Sequence, residues 1–172
     1  MDSGILDAPR RAATDSPFDP FDDGRALQDR LAVHCFGCGT LNAQGLRIKS
    51  RWHGDELVCV WQPSPEHIAF PGVVYGGTIA SVVDCHAVWA ALAAHCRAAG
   101  HDLGSGAPPF AVVTGSLHVR YLRPASVARP LELRARIVAH GERKSVVACS
   151  VRQGEIECAT AEVVTVRVQG AG

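Results

Sequence analysis

Residues 73–96 form a mostly apolar run without Lys, Arg or Glu, interrupted near its centre by Asp84 and His86. As a helix, such a run is long enough to cross a bilayer. An Asp at the bilayer centre costs roughly 2.5–3.5 kcal/mol, however, and strand-like segments follow closely in the same short chain. The run therefore predicts a helix buried in protein, and the rest of the chain must supply its surroundings. Ile79, Val82, Val83, Val88, Trp89 and Leu92 occupy more than one helical face, so burial nearly all round is expected. Gly76-Gly77 open the helix, and Gly100 is a stop signal just after Ala99.

The surroundings read as β-structure. Residues 46–52 and 56–61 are strand candidates joined by a His53-Gly54-Asp55 turn, and Pro63 and Pro65 end the second. Residues 64–74 read as loop. After the helix come strand candidates at 109–123, 130–139, 144–152 and 155–168, with hairpin turns at Gly141-Glu142 and Gln153-Gly154. In the last of them Ile156, Cys158, Thr160, Glu162, Val164, Val166 and Val168 share one face by period-two counting. Two strands, one long helix and four strands suit an α+β fold, an antiparallel sheet of about five to six strands wrapped around a central helix. A parallel α/β fold would need more helices than the chain offers.

The chain has 172 residues, a hydrophobic fraction of 47% and a charged fraction of 20%, which fits one packed domain. That domain is expected over residues 26–170, with a short helix near 26–33. Residues 1–25, rich in Asp, Pro, Ser and Ala, read as a flexible arm. Lys plus Arg and Asp plus Glu number 17 each, and no basic stripe points to nucleic acid. No membrane partner is expected either. The 7 cysteines are odd in number and irregularly spaced, with no signal-peptide pattern before them, so reduced thiols and a cytoplasmic location are expected.

Three positions suggest chemistry. Gly76-Gly77 expose backbone at a helix start, where free N–H groups and the positive dipole end can hold an oxyanion. Close packing of the helix start explains the glycines equally well. Asp84 lies among apolar residues, where an unpaired carboxylate is costly, and is rarely placed there without a task. A structural hydrogen bond to a neighbouring strand is the alternative. Seven residues separate Gly77 from Asp84, which puts them on nearly the same side but roughly 10 Å apart along the axis. One carbonyl cannot readily touch both, so a site completed by a second chain is expected.

These residues carry a resemblance. Tyr75-Gly76-Gly77 followed by Asp84 resembles the helix-start motif of hotdog thioesterases, in particular the PaaI-like and THEM-like branch of the 4-hydroxybenzoyl-CoA thioesterase superfamily. Cys35-Phe36-Gly37-Cys38-Gly39 with Asn42 and Gly45-Leu46 is similar to that branch's opening signature. Residues 114–124, from Thr114 through Ser116 to Pro124, resemble the strand after its helix. The similarity spans residues 34–168.

The resemblance implies a hotdog fold, a homodimer or dimer of dimers, and hydrolysis of acyl-CoA (or an acyl-carrier-protein thioester) without metal or other cofactor. It implies that Gly77 donates its N–H to the thioester oxygen and that Asp84 is the nucleophile or the base for water. Thr114 falls where the family places an assisting hydroxyl. Tyr75, Gly76, His86, Asn42 and Ser116 are the substrate-binding candidates; for His86, simple packing is the preferred alternative. Tyr75 departs from the His usual in the motif, and a phenol does not titrate near neutrality. Phe70, Tyr75, Val88 and Trp89 suit an aromatic or medium-chain acyl group, and Arg120, Arg123 and Arg129 could meet CoA phosphates.

Other readings compete. A ligand-binding hotdog protein without catalysis is one. A hydratase or dehydratase is another, with His86 as its only local histidine. His34, Cys35 and Cys38 have metal-ligand types and Cys-x-x-Cys spacing, but a structural zinc needs four ligands and the sequence has no second close pair. Cys59, Cys85-His86 or His53 could join them only if the fold brought them there, so turn and core are the expected roles.

Overall fold

The computed structural model describes residues 23–169. Most of the expected arm, residues 1–22, lies outside the described residues. Asp23 and Gly24 are already tied to the body, because Arg30 bonds Asp23 Oδ1 at 2.5 Å and Arg51 Nε donates to the Gly24 carbonyl at 3.0 Å. The helix expected near 26–33 is a single 3-10 turn, Leu27–Arg30, with Leu27 and Gln28 buried.

Among the described residues, eight strands, one α-helix and a second 3-10 turn (Leu103–Ser105) follow: β1 Ser50–His53, β2 Glu56–Trp61, β3 Ile68–Phe70, β4 Val73–Val74, α1 Gly76–Ala99, β5 Phe110–Tyr121, β6 Leu131–His140, β7 Lys144–Gln153 and β8 Ile156–Gln169. Six strands form one antiparallel sheet in the order β1-β2-β6-β7-β8-β5. The helix lies across it, against β5, β6, β7 and β8. This is the expected six-strand sheet around one helix.

Local chemistry explains the boundaries. Gly54 and Gly154 take positive φ, 64° and 62°, in the β1–β2 and β7–β8 hairpins, where a side chain would be strained. Gly100 caps the helix at φ 64°, its N–H bonded to the Arg97 carbonyl, while His101 N–H bonds that of Cys96. The first strand is shorter than expected because Arg47 sits in the left-handed region at φ 55° and breaks the extended run. Residues 46–48 instead bond the preceding loop, Leu46 N–H to Phe36 O at 2.7 Å and Ile48 N–H to Gly37 O at 3.1 Å. Residues 64–74, read as loop, contain the small hairpin β3–β4, which leads into the helix start.

The core lies between helix and sheet. Leu57, Leu131, Leu133, Val147, Val151 and Val163 are fully buried on the sheet side, and each such side chain contributes roughly 1.5–3 kcal/mol. Ala87, Ala90, Ala91 and Ala93, also fully buried, let the helix approach closely. In β8 it is Ala159, Ala161, Val163 and Thr165 that face inward; the face from Ile156 to Val168 counted from sequence is the outer one, apart from buried Cys158. The helix is long and apolar enough to cross a membrane, yet 61% of that apolar window is buried inside the protein. Burial is not complete around the helix: Gly77, Ser81, Asp84, Cys85 and Val88 form a half-exposed strip.

Candidate active site

The strip carries the candidate site residues. Asp84 projects from the middle of α1 and accepts a short hydrogen bond on Oδ1 from the Thr114 hydroxyl of β5. The carboxylate is therefore half-buried but not unpaired. Thr114 reaches it because Phe110, Val112 and Thr114 alternate inward along β5. One turn before Asp84, Ser81 donates to the Gly77 carbonyl at 2.9 Å, so its hydroxyl is committed to the helix backbone.

At the helix start, Tyr75 occupies the N-cap position with no side-chain cap. The Gly76 and Gly77 N–H groups belong to the first turn and have no carbonyl one turn earlier to bond. Two phenols frame them. A Cβ on Gly77 would meet the Tyr75 ring, whose Cζ lies 2.8 Å from that point. Tyr121 donates its hydroxyl to the Gly76 carbonyl at 2.7 Å. Burial raises the Tyr121 phenol's pKa, with Tyr75 adding to the effect. Beside this helix start opens a groove of about 330 Å3 lined by Phe70, Val74, Gly76, Ile79, Tyr121 and Leu122 among others, with Arg123 at it too.

Tyr121 is not among the site residues read from the sequence, and a β-bulge upstream sets the face on which it lies. Thr114 pairs with Thr165 and Ser116 with Val164, which leaves Gly115 extra. Beyond it Leu117 and Val119 are the half-buried positions and Tyr121 reaches the helix. Ser116, a substrate-binding candidate from the resemblance, is exposed and shares the outer alternation of His118 and Arg120. The glycine inside a strand is the available signal.

His86 is also elsewhere. It is fully buried on the sheet side, with Nδ1 2.8 Å from Ser50 Oγ and Nε2 2.9 Å from the Leu57 carbonyl. The carbonyl can only accept, so Nε2 carries the proton and Nδ1 accepts from Ser50. Gln28 completes the chain, donating from Nε2 to Ser50 Oγ at 3.0 Å and accepting from Ser50 N–H at 2.7 Å. Desolvation pushes the imidazole down to about 4, partly opposed by the Leu57 bond. In this chain His86 has no nitrogen left for a substrate.

Asn42 serves its own loop: Oδ1 accepts from Gln44 N–H at 3.0 Å and Nδ2 donates to His34 O at 3.4 Å. Of the arginines, Arg123 lines the groove, whereas Arg129 bonds the Gln153 carbonyl at 3.2 Å. Trp89 is buried, and Val88 is half-exposed on the strip.

The fold does bring Cys85 to Cys35 and Cys38. The three sulfurs lie within 4.8 Å of one another, with Cys35 Sγ 3.5 Å from Cys85 Sγ. Hydrogen bonding from the Cys85 thiol, aided by Trp89 and Cys35, pulls Cys38 down to about 6, and the same pair interaction raises Cys85. His86, adjacent to Cys85, is committed to the core, and buried Cys59 is pushed up to about 11 by desolvation.

The profile of the thioesterase superfamily matches residues 71–160, which include the helix, Asp84, Thr114 and Tyr121. The chain belongs to the thioesterase superfamily. A superfamily protein from Shewanella loihica is 33% identical, with 81% of this chain and 96% of that one covered at a TM-score of 0.59. The Escherichia coli PaaI protein of the phenylacetic acid degradation operon shares the fold at 16% identity, covering 73% and 83% of the two chains at a TM-score of 0.59. So does a Streptococcus mutans protein solved bound to acetyl-CoA, at 16% identity, 73% and 91% coverage and a TM-score of 0.56. No curated protein sequence matches this superfamily member.

Proposed function

We propose that this chain hydrolyses an acyl-CoA thioester to the free acid and CoA. The observation that carries the reading is the Thr114–Asp84 pair on the half-exposed strip of α1. With Oδ1 held by Thr114, the other oxygen, Oδ2, is oriented to attack the carbonyl or to take a proton from water. The carbonyl oxygen becomes an oxyanion at the Gly77 N–H, stabilised by the helix dipole. Collapse expels the CoA thiolate, which takes a proton, and water supplies the acid's new oxygen. The acetyl-CoA held by the Streptococcus mutans relative supports CoA as carrier. The apolar groove with Phe70 and Ile79 supports an aromatic or medium-chain acyl group, and its Arg123 a phosphate contact.

The roughly 10 Å along the helix between Gly77 and Asp84 favours a site shared by two chains, each giving one element. The 12-residue strand β5 is a free edge of the sheet, able to pair with its copy about a twofold axis. A monomer with full activity would reject this arrangement. Reduced thiols and a CoA substrate favour a cytoplasmic setting.

Free-thiol release from a panel of acyl-CoAs, wild type beside Asp84→Asn, tests the reaction. Turnover that vanishes in the variant supports it. Ligand binding without turnover across the panel would replace it with the non-catalytic binder. The hydratase reading gains nothing from His86, whose ring is enclosed.

A further inference from the structure

The cysteine cluster lies outside the proposed hydrolytic machinery, and its geometry is that of a ligand set. Cys35 and Cys38 come from one turn of loop and Cys85 from the helix, 47 residues after Cys38 (85 minus 38). Their sulfurs converge within 4.8 Å. Thiolates sharing one tetrahedral zinc at about 2.3 Å stand about 3.8 Å apart, so small side-chain rotations would close the set.

The surrounding backbone is built for that convergence. In Cys35-Phe36-Gly37-Cys38-Gly39 the Gly39 N–H bonds the Cys35 carbonyl at 2.8 Å, closing a tight turn that carries both sulfurs. A Cβ on Gly39 would stand 2.5 Å from the Cys35 carbonyl oxygen and 2.6 Å from the Cys35 nitrogen, so only glycine fits the turn. A Cβ on Gly37 would collide with the Cys85 sulfur itself, so the second glycine lets the turn press onto the helix. Cys38 is buried, Cys85 half-buried and Cys35 exposed, which leaves the cluster's open side facing solvent.

We infer that Cys35, Cys38 and Cys85 form a binding site for one thiophilic metal ion, Zn2+ foremost, with a solvent molecule as fourth ligand. Three soft thiolates select Zn2+ or Cu+ over hard cations such as Mg2+. Binding displaces the thiol protons into solvent and changes no oxidation state. The ion would pin the loop of residues 35–46 to α1 at the residue after Asp84. It takes no part in the hydrolysis proposed above, so the two readings stand or fall separately.

The test uses the full chain, stripped of metal and kept reduced with a phosphine. Co2+ alone should bind at one equivalent and give the near-ultraviolet thiolate charge-transfer band, and Zn2+ should abolish that band and compete with a chromophoric chelator. Cys35→Ser, Cys38→Ser and Cys85→Ser should each weaken Zn2+ by at least about 100-fold, a loss that outer-sphere changes alone can reach. Cys158→Ser, a buried thiol of β8, should leave affinity unchanged. Circular dichroism melts of the metal-free variants verify folding; should the buried variants fail to fold, the exposed Cys35→Ser decides the matter. Absence of the charge-transfer band overturns the site. So does undiminished affinity in Cys85→Ser, which would reduce it to the Cys35–Cys38 pair. A Cys35–Cys85 disulfide as the resting form of metal-replete protein would equally overturn it, making the cluster a redox pair.

Discussion

His86 and Asp84 stand two residues apart on one helix, about 200° around its axis, and meet opposite surroundings. On the sheet side, His86, Ser50, Gln28 and the Leu57 carbonyl form a closed chain in which each polar group has a partner. On the other side, Asp84 has one hydroxyl, Thr114, and half-exposed space beyond it. A satisfied buried network fixes the fold, because removing any member strands another. An incompletely satisfied carboxylate leaves capacity for a substrate. Polarity inside an apolar helix therefore says little by itself; the completeness of its partners separates structure from chemistry.

The strongest way to break this comparison is Asp84→Asn. It should lower kcat by about 1,000-fold while the urea unfolding midpoint stays level or rises; a lost midpoint would make Asp84 structural as well. The reverse should hold for His86→Leu, which leaves the Ser50 hydroxyl and Leu57 carbonyl short of a partner. It should cost about 3 kcal/mol of stability in urea, with kcat of the folded protein preserved. Acid sharpens the same point. Folded His86 titrates near 4 against an ordinary 6.5, so the unfolded chain takes up that proton first as pH falls. Its stability contribution is intact above about pH 6.5 and is lost progressively toward pH 4, about 3 kcal/mol in all. Urea melts across that range should show the slope, and His86→Leu should flatten it. Thr114→Ala should lower kcat about tenfold with KM nearly unchanged, and Thr114→Ser should restore most of it. Smallest of all, Tyr121→Phe removes one hydrogen bond to Gly76 and should shift KM a few-fold, about 1 kcal/mol or less.

Local features are legible in the sequence, and those that depend on distant parts meeting are hidden. The helix, its Gly100 stop and the hairpin glycines follow from nearest-neighbour rules, and the structure places them as read, whereas Thr114 is marked in the sequence by the resemblance alone. Asp84 is legible because charge stands out against an apolar run. His86 is harder: a helix apolar on several faces gives no way to tell the sheet side from the open side. Ser116 is a candidate through the motif resemblance, and the bulge at Gly115 lies beyond what the motif shows. The β3–β4 hairpin is too short to leave a periodic signal. Cys85 cannot be joined to Cys35 and Cys38 by spacing, because the loop ahead of β1 meets the helix only once the sheet has folded around it.

Gly115 also gives β5 one residue of slack. Registers on both sides of it are regular, Thr114 with Thr165 and then Ser116 with Val164 onward to Tyr121 with Ala159. Removing Gly115 would straighten the strand locally and keep Leu117, Val119 and Tyr121 facing the helix. Removing Val119 instead would turn Tyr121 away from Gly76. Losing one residue is thus cheap at Gly115 and ruinous at Val119, four residues later.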